Sequence, residues 1–131
     1  MVGKIPKCLA NLQKLEGMKF SSNKLSGVIA KSIVLFSSSL LGLKLNDNMF
    51  SGELPQEWGN LKDLMVLDFG DNNFFGNIPK QIGEKLPRLM GLRLHGDNFI
   101  GGIPPSVCNI LALQILDVPF NNLTGTIPRR V

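Results

Sequence analysis

The chain has 131 residues, of which 44% are hydrophobic and 18% charged, so it can bury the core of one domain and is not intrinsically disordered. Its 14 basic and 10 acidic residues give a net charge of +4, and because the basic residues are spread along the chain they do not indicate nucleic-acid binding. No uninterrupted apolar stretch approaches the roughly 20 residues of a membrane-spanning helix.

A single motif recurs along the chain: two alternating apolar residues, an asparagine or aspartate, a glycine, and an Ile-Pro pair, which is Ile29-Ala30 in one copy and Leu54-Pro55 in the next. A partial copy occupies residues 1–11, and fuller copies follow at about 12–36, 37–60, 61–85, 86–109 and 110–131. The polar column consists of Asn23, Asn48, Asn72, Asp97 and Asn121, at spacings of 25, 24, 25 and 24 residues. Spacing this regular predicts a single array of equivalent rungs rather than several domains.

Each rung should contain one short strand. In the fourth full-length copy, Leu92 and Leu94 alternate with Arg93, which predicts that both leucines point inward and the arginine points outward. Successive strands would then lie about 4.8 Å apart in a parallel sheet. We therefore predict an α/β-type solenoid, a right-handed superhelix with a parallel sheet on its concave face and irregular or 3₁₀ segments on its convex face.

Two further columns are predicted to be structural. The asparagine or aspartate can exchange hydrogen bonds with backbone groups that the inward turn would otherwise leave unsatisfied. The next column contains Phe50, Phe74 and Phe99, and we expect these rings to stack in the core rather than to form an aromatic binding site.

The repeat LxxLxLxxNxLxGxIPxx resembles the plant-specific class of leucine-rich repeat across residues 3–131. Residues 76–87, 106–108 and 113–117 are similar to plant receptor-like proteins of the ethylene-inducing xylanase receptor type. This resemblance implies a solenoid on the extracellular face of the plasma membrane that detects microbial or developmental signals together with a co-receptor kinase. Because the chain shows no signal peptide, cysteine-bearing cap or membrane span, we expect an internal fragment or truncated product of such a receptor.

From this resemblance we expect non-catalytic recognition of a protein or peptide in plant defence signalling. One alternative is an extracellular enzyme inhibitor similar to polygalacturonase-inhibiting proteins, which share this repeat. Another is a truncated product without independent function. The receptor hypothesis predicts a membrane span downstream in the reading frame, whereas the inhibitor hypothesis predicts a cap and a stop.

The outward positions of the predicted sheet and nearby exposed positions are candidates for ligand binding, because solenoids commonly bind partners on the concave face. These candidates are Lys19, Lys44, Asp68, Arg93, His95, Asp117 and Phe120. Their mixed charges favour a protein or peptide over a polyanion. The strands on either side of His95 carry Asp68 and Asp117, so a contact between the imidazole and a carboxylate is conceivable, although a simple exposed histidine is the favoured interpretation.

The sequence predicts no enzyme, cofactor or metal site. Asp68-Phe69-Gly70 matches the magnesium-binding triplet of protein kinases, but the glycine-rich loop and catalytic His-Arg-Asp of a kinase are missing. Cys8 and Cys108 should lie four rungs apart, roughly 19 Å, which is too far for a disulfide or for a shared zinc site with the single histidine.

Two predictions concern the surface and the ends of the array. Asn122 begins the sequon Asn-Leu-Thr, which would carry an N-linked sugar if the chain enters the secretory pathway, or is merely a by-product of the repeat. Uncapped end rungs would expose core side chains, so we also expect self-association through the ends.

Overall fold

The computed structural model describes residues 2–3, 17–19, 24–28, 40–58, 61–118 and 122–123, and the structural statements below refer to these residues. In chain order the strands and helices are β1 (Val2–Gly3), β2 (Gly17–Lys19), β3 (Lys24–Val28), β4 (Gly42–Lys44), β5 (Met49–Glu53), β6 (Val66–Asp68), β7 (Asn73–Asn77), α1 (Gln81–Lys85), β8 (Gly91–Arg93), β9 (Asn98–Gly101), α2 (Pro105–Cys108), β10 (Ile115–Asp117) and β11 (Asn122–Leu123).

Within the described ranges the strands form two parallel sheets. The first sheet has the order β10-β8-β6-β4-β2, and the second has the order β1-β3-β5-β7-β9-β11. Strands of the two sheets alternate along the chain, so each complete rung contributes one strand to each sheet. Because every neighbour in a sheet is the same strand of the adjacent rung, the structure confirms the predicted leucine-rich repeat solenoid with parallel strands.

The second sheet was not expected from the sequence pattern, which predicted only one short strand in each rung. Instead, β7 pairs with β5 and β9, and its five residues are alternately exposed and buried. The column glycines Gly52, Gly76 and Gly101 have φ values of 86°, 83° and 75°. Since this left-handed region strains residues with a Cβ, glycine lets each strand change direction while remaining paired to the next rung.

The interior is assembled from columns that continue from rung to rung. In the best-described rungs the alternating strand residues are all fully buried: Leu43, Leu45, Leu67, Phe69, Leu92 and Leu94. Behind them the rings of Phe50, Phe74 and Phe99 stack, with centroids 6.2 and 6.3 Å apart and interplanar angles of 11° and 14°. The predicted aromatic stack in the core is therefore confirmed.

The side opposite the first sheet is closed by Trp58, Ile82 and Val107, which are all completely buried. The Trp58 indole Nε1 donates a hydrogen bond to the Pro55 carbonyl oxygen at 2.7 Å, so its one polar atom is satisfied inside the core. Ile82 and Val107 lie in the one-turn helices α1 and α2. No helix in the described ranges has the length and apolarity needed to cross a bilayer.

Several predicted positions lie outside the described residues. Asn23, Phe120, Asn121 and Cys8 are among them, and for Lys19 and Asn122 only the strand backbone is described. The end residues on which the expectation of self-association depends are also mostly outside the described ranges.

Candidate functional site

The first sheet carries a row of charged residues at the last position of each strand. Strand register aligns Lys44 with Asp68, Asp68 with Arg93, and Arg93 with Asp117, while the backbone of Lys19 pairs beside Lys44. Four candidate ligand-binding residues are therefore brought together, since neighbouring strands of a sheet lie about 4.8 Å apart.

The members of this row differ in accessibility. Lys44 and Arg93 are exposed, and in the described part of the chain no carboxylate forms an ion pair with either. Asp68 is only 8% exposed, and its Oδ1 accepts a hydrogen bond from the Gly70 backbone N–H at 3.0 Å. The charge that the row offers to a partner is therefore mainly positive, although basic and acidic residues alternate in the sequence.

Beside the row, His95 bridges carboxylates from two other rungs. Its Nε2 lies 3.1 Å from Oδ2 of Asp71, and its Nδ1 lies 2.8 Å from Oδ2 of Asp117. The sequence suggested Asp68 or Asp117 as partners for this histidine. The structure shows contacts with Asp117 and with Asp71, which follows the end of β6 and adopts a left-handed φ of 54°.

The two carboxylates control the protonation of His95. Partial burial lowers the pKa of the imidazole, but the negative charges of Asp117 and Asp71 and their hydrogen bonds outweigh burial and raise the pKa above its usual value. A protonated histidine carries a proton on both ring nitrogens. Nε2 is hydrogen-bonded to Asp71, whereas Nδ1 faces Asp117 as a close charge contact without an aligned hydrogen bond. In that form His95 is an electrostatic link across three successive rungs rather than a free base for catalysis.

The polar column lies next to this cluster, and Asn72 connects two rungs. Its Oδ1 accepts a hydrogen bond from the backbone N–H of Phe50 in the preceding rung, at 3.0 Å. Its Nδ2 lies within 3.0 to 3.2 Å of the carbonyl oxygens of Leu45, Phe69 and Gly70. Asn48 also uses Nδ2, which lies 3.1 Å from the carbonyl oxygens of Leu45 and Asn46.

Asp97 occupies the same column one rung later but has a carboxylate in place of the amide. Its Oδ1 accepts a hydrogen bond from the Phe74 N–H at 3.0 Å, whereas its Oδ2 is buried and has no hydrogen-bond partner in the described part of the chain. Burial raises the pKa of Asp97 to about 7, against the opposing effect of hydrogen bonds from the Phe74 and Asn72 backbone. This titration near neutrality was not predicted from the sequence.

Exposed apolar residues line the first sheet on the side where its strands begin. Met65 and Ile115 are 37% and 44% exposed, and together with Val66, Met90 and Gly91 they border a groove of about 370 Å³ that reaches Arg93 and Lys44. This groove was not predicted from the sequence. The signal was present in the column preceding each strand, where Leu41, Met65 and Met90 occupy equivalent outward positions.

In the described residues the potential metal ligands are scattered, and the Asp-Phe-Gly triplet lies in the core. These residues contain no group of histidine, cysteine and acidic side chains arranged to hold a metal ion. Phe69 of the Asp-Phe-Gly triplet is fully buried and packs against Trp58 and Phe74, with ring centroids 6.2 and 5.3 Å apart. Cys108 is a buried thiol at the end of α2.

Comparison with known families agrees with this geometry. The protein-family model described as Leucine Rich Repeat matches residues 39–61 of the sequence, which include β4, β5 and the polar column residue Asn48. A sequence comparison with curated proteins gives no significant match.

Solved structures are similar over nearly the whole chain. The plant peptide hormone receptor RGFR1, in complex with RGF2, superposes with a TM-score of 0.93 at 28% identity over 97% of this chain. The Arabidopsis receptor kinase HAESA, in complex with the peptide hormone IDA and the co-receptor SERK1, gives 0.91 at 34% identity and 97% coverage. A plant ice-binding protein gives 0.89 at 31% identity and 97% coverage.

The chain spans only part of each of these proteins: 20% of the RGFR1 chain, 21% of the HAESA chain and 41% of the ice-binding protein. Their names describe partners as different as peptide hormones and ice. The shared fold therefore does not specify a ligand, because ligand choice depends on the side chains that the fold presents.

Proposed function

Because the chain has the leucine-rich repeat fold, we propose that it acts in non-catalytic recognition, with the open face of its first sheet binding a protein or peptide. The observation that carries this proposal is the pair Lys44 and Arg93, exposed and without an ion-pair partner in the described residues, beside exposed apolar side chains on the same face. Exposed charges next to an apolar patch favour a polypeptide partner, since both kinds of contact recur in protein interfaces.

The further elements of the proposal rest on the similar structures and on the repeat class. We propose that the chain is part of the ectodomain of a plant receptor-like protein in defence signalling, located at the extracellular face of the plasma membrane and acting with a co-receptor kinase. Support comes from RGFR1 and HAESA, whose structures contain peptide hormones and, for HAESA, the co-receptor SERK1. N-glycosylation at Asn122 belongs to the same proposal.

The binding face is located by selecting a phage-displayed random peptide library on the chain and measuring affinities of the enriched peptides. The double variant Lys44→Glu/Arg93→Glu should weaken binding about tenfold or more, because it replaces accessible cations with anions on the proposed face. The control is Lys62→Glu/Lys85→Glu, which makes the same change of charge at two exposed lysines outside the first sheet.

Equal losses for the two double variants would show a general effect of net charge, and unchanged binding for both would place the binding surface elsewhere. Either result would contradict recognition by the first sheet. Failure of any peptide to enrich would contradict peptide recognition altogether.

A further inference from the structure

A notch interrupts the open face of the first sheet at Gly91. Strand register places Gly91 between Val66 of β6 and Ile115 of β10. These flanking strands are two spacings apart, roughly 9.6 Å, so the missing side chain leaves a gap about one residue wide. A Cβ added at Gly91 would meet no atom within 4 Å apart from its two chain neighbours, although the backbone of Gly91 is itself buried between the flanking strands.

The walls of the notch are apolar and adaptable. Val66 and Ile115 form its two sides, and Met65 and Met90 extend it towards the beginning of the strands. Methionine side chains are flexible and polarisable, so they adjust to apolar groups of different shapes. The notch is therefore suited to one bulky apolar side chain rather than to a polar group, whose hydrogen bonds would be lost there.

The charge beside the notch is positive where a partner can reach it. Arg93 follows Gly91 by two residues and is exposed, and Lys44 lies two strands away in the same row. The nearby carboxylates are less available to a partner: Asp68, which also lines the groove, is buried and accepts a hydrogen bond from the Gly70 N–H, and Asp117 contacts His95. A partner with a negative charge next to its apolar group would complement this arrangement.

We propose that the Gly91 notch anchors an extended acidic peptide segment: one large aliphatic or aromatic side chain inserts over Gly91, and a neighbouring aspartate or glutamate of the peptide pairs with Arg93 or Lys44. The inference rests on the proposed function and names the ligand chemistry of the same face. Because the backbone groups of β8 are paired with β6 and β10, recognition occurs through side chains rather than by addition of a strand.

The test fills the notch without altering charge. Gly91→Ile adds a side chain into open space and should lower the affinity of the library-selected peptides about tenfold or more. Gly42→Ile is the matched control, because Gly42 lies in the same column two strands away, its added Cβ likewise meets no atom within 4 Å, and it does not line the groove. Affinity should stay within about twofold for the control.

A second measurement separates blocked binding from damage to the fold. The selected peptides should share a bulky apolar residue next to an acidic one, and replacing that apolar residue with alanine should weaken binding to the unaltered chain. The same peptide change should cause no further loss with Gly91→Ile, because the contact is already absent. Gly91→Ile and Gly42→Ile should have similar thermal unfolding midpoints, since neither added side chain meets a neighbour at its Cβ.

The outcomes separate this inference from the function on which it rests. Peptides that are sensitive to Lys44→Glu/Arg93→Glu but bind Gly91→Ile normally would overturn the notch and retain the first sheet as the binding face. Selected peptides without the paired apolar and acidic residues would also overturn the notch. Peptides insensitive to all of these variants would overturn the proposed binding face as well.

Discussion

The rungs that contain Asn72 and Asp97 have equivalent backbone conformations but different side chains in the polar column. In both rungs a side-chain Oδ1 accepts a hydrogen bond of 3.0 Å from a phenylalanine N–H of the preceding rung. The second polar atom differs: Nδ2 of Asn72 faces carbonyl oxygens that accept from it, whereas Oδ2 of Asp97 has no hydrogen-bond partner in the described residues.

This comparison shows what the column requires. The position needs an acceptor towards the preceding rung and a donor towards nearby carbonyl oxygens, which an amide always supplies and a carboxyl group supplies only when protonated. The stability of the Asp97 rung therefore depends on pH through its carboxyl group. The amide of Asn72 does not titrate, so it adds no such dependence to its own rung. Substitutions at Asn72 and Asp97 test this difference directly, and one at His95 tests the neighbouring charge cluster.

The largest effect is expected for Asn72→Ala. It leaves the Phe50 N–H without its acceptor and removes the donor to buried carbonyl oxygens, so the free energy of unfolding should fall by about 2–3 kcal/mol. Urea denaturation followed by circular dichroism measures this change. Two controls lie at exposed positions: Asn73→Ala removes the adjacent amide, and Lys44→Ala removes a charge from the first sheet. Each should change the free energy of unfolding by less than about 0.5 kcal/mol. Equal losses for Asn72 and Asn73 would contradict a structural role for the column.

A smaller effect of opposite sign is expected for Asp97→Asn. Folding raises the pKa of Asp97 from 3.8 to about 7, so the folded state holds this proton more tightly than the unfolded state. The stability contributed by the protonated group is complete below about pH 4 and is lost as pH rises through about 7. The asparagine variant should therefore be more stable than the original chain by about 1–3 kcal/mol at about pH 8, and by less than about 1 kcal/mol at about pH 4.

Denaturation at a series of pH values tests this sign. The reciprocal variant Asn72→Asp should introduce the same type of pH dependence into the preceding rung, with a larger loss of stability at about pH 8 than at about pH 5. If the free energies of unfolding of Asp97→Asn and the original chain differed by the same amount at every pH, titration of Asp97 near pH 7 would be contradicted.

The smallest effect is expected for His95→Gln. Asp117 and Asp71 raise the pKa of His95, so the stability from its charge is complete below the ordinary histidine pKa and is lost as pH rises through the higher folded pKa. Because the side chain is 29% exposed, solvent weakens these ion pairs, and the variant should lose only about 0.5 kcal/mol at about pH 6. The loss should be smaller at about pH 9, and an equal loss at both pH values would show that charge is not involved.

Much of the fold could be predicted because a repeated sequence imposes repeated contacts. Phe50, Phe74 and Phe99 occupy one column, so each must lie one rung from the next whatever the detailed path of the backbone. The second sheet was not predicted: the segment Asn73–Asn77 alternates between exposed and buried residues as a strand does, but the sequence pattern indicated only one strand in each rung. Its pairing becomes evident only when the neighbouring rungs supply strands in register.

The candidate site shows the same division. The row of Lys44, Asp68 and Arg93 followed from strand periodicity, but the unequal burial of its members did not. The contact between His95 and Asp71 joins different columns of different rungs, so its existence depends on the path of the turn at Asp71 and on the direction of the imidazole.

The amino-acid sequence alone determined the rung length, the inward and outward positions of the first-sheet strands, and the stacked phenylalanines, because these depend on a period that is repeated along the chain. Tertiary structure decided the second sheet, the shifted proton affinity of Asp97, and the gap over Gly91. Each of these depends on distances between groups in different rungs, and on the exclusion of water from them, which no single repeat contains.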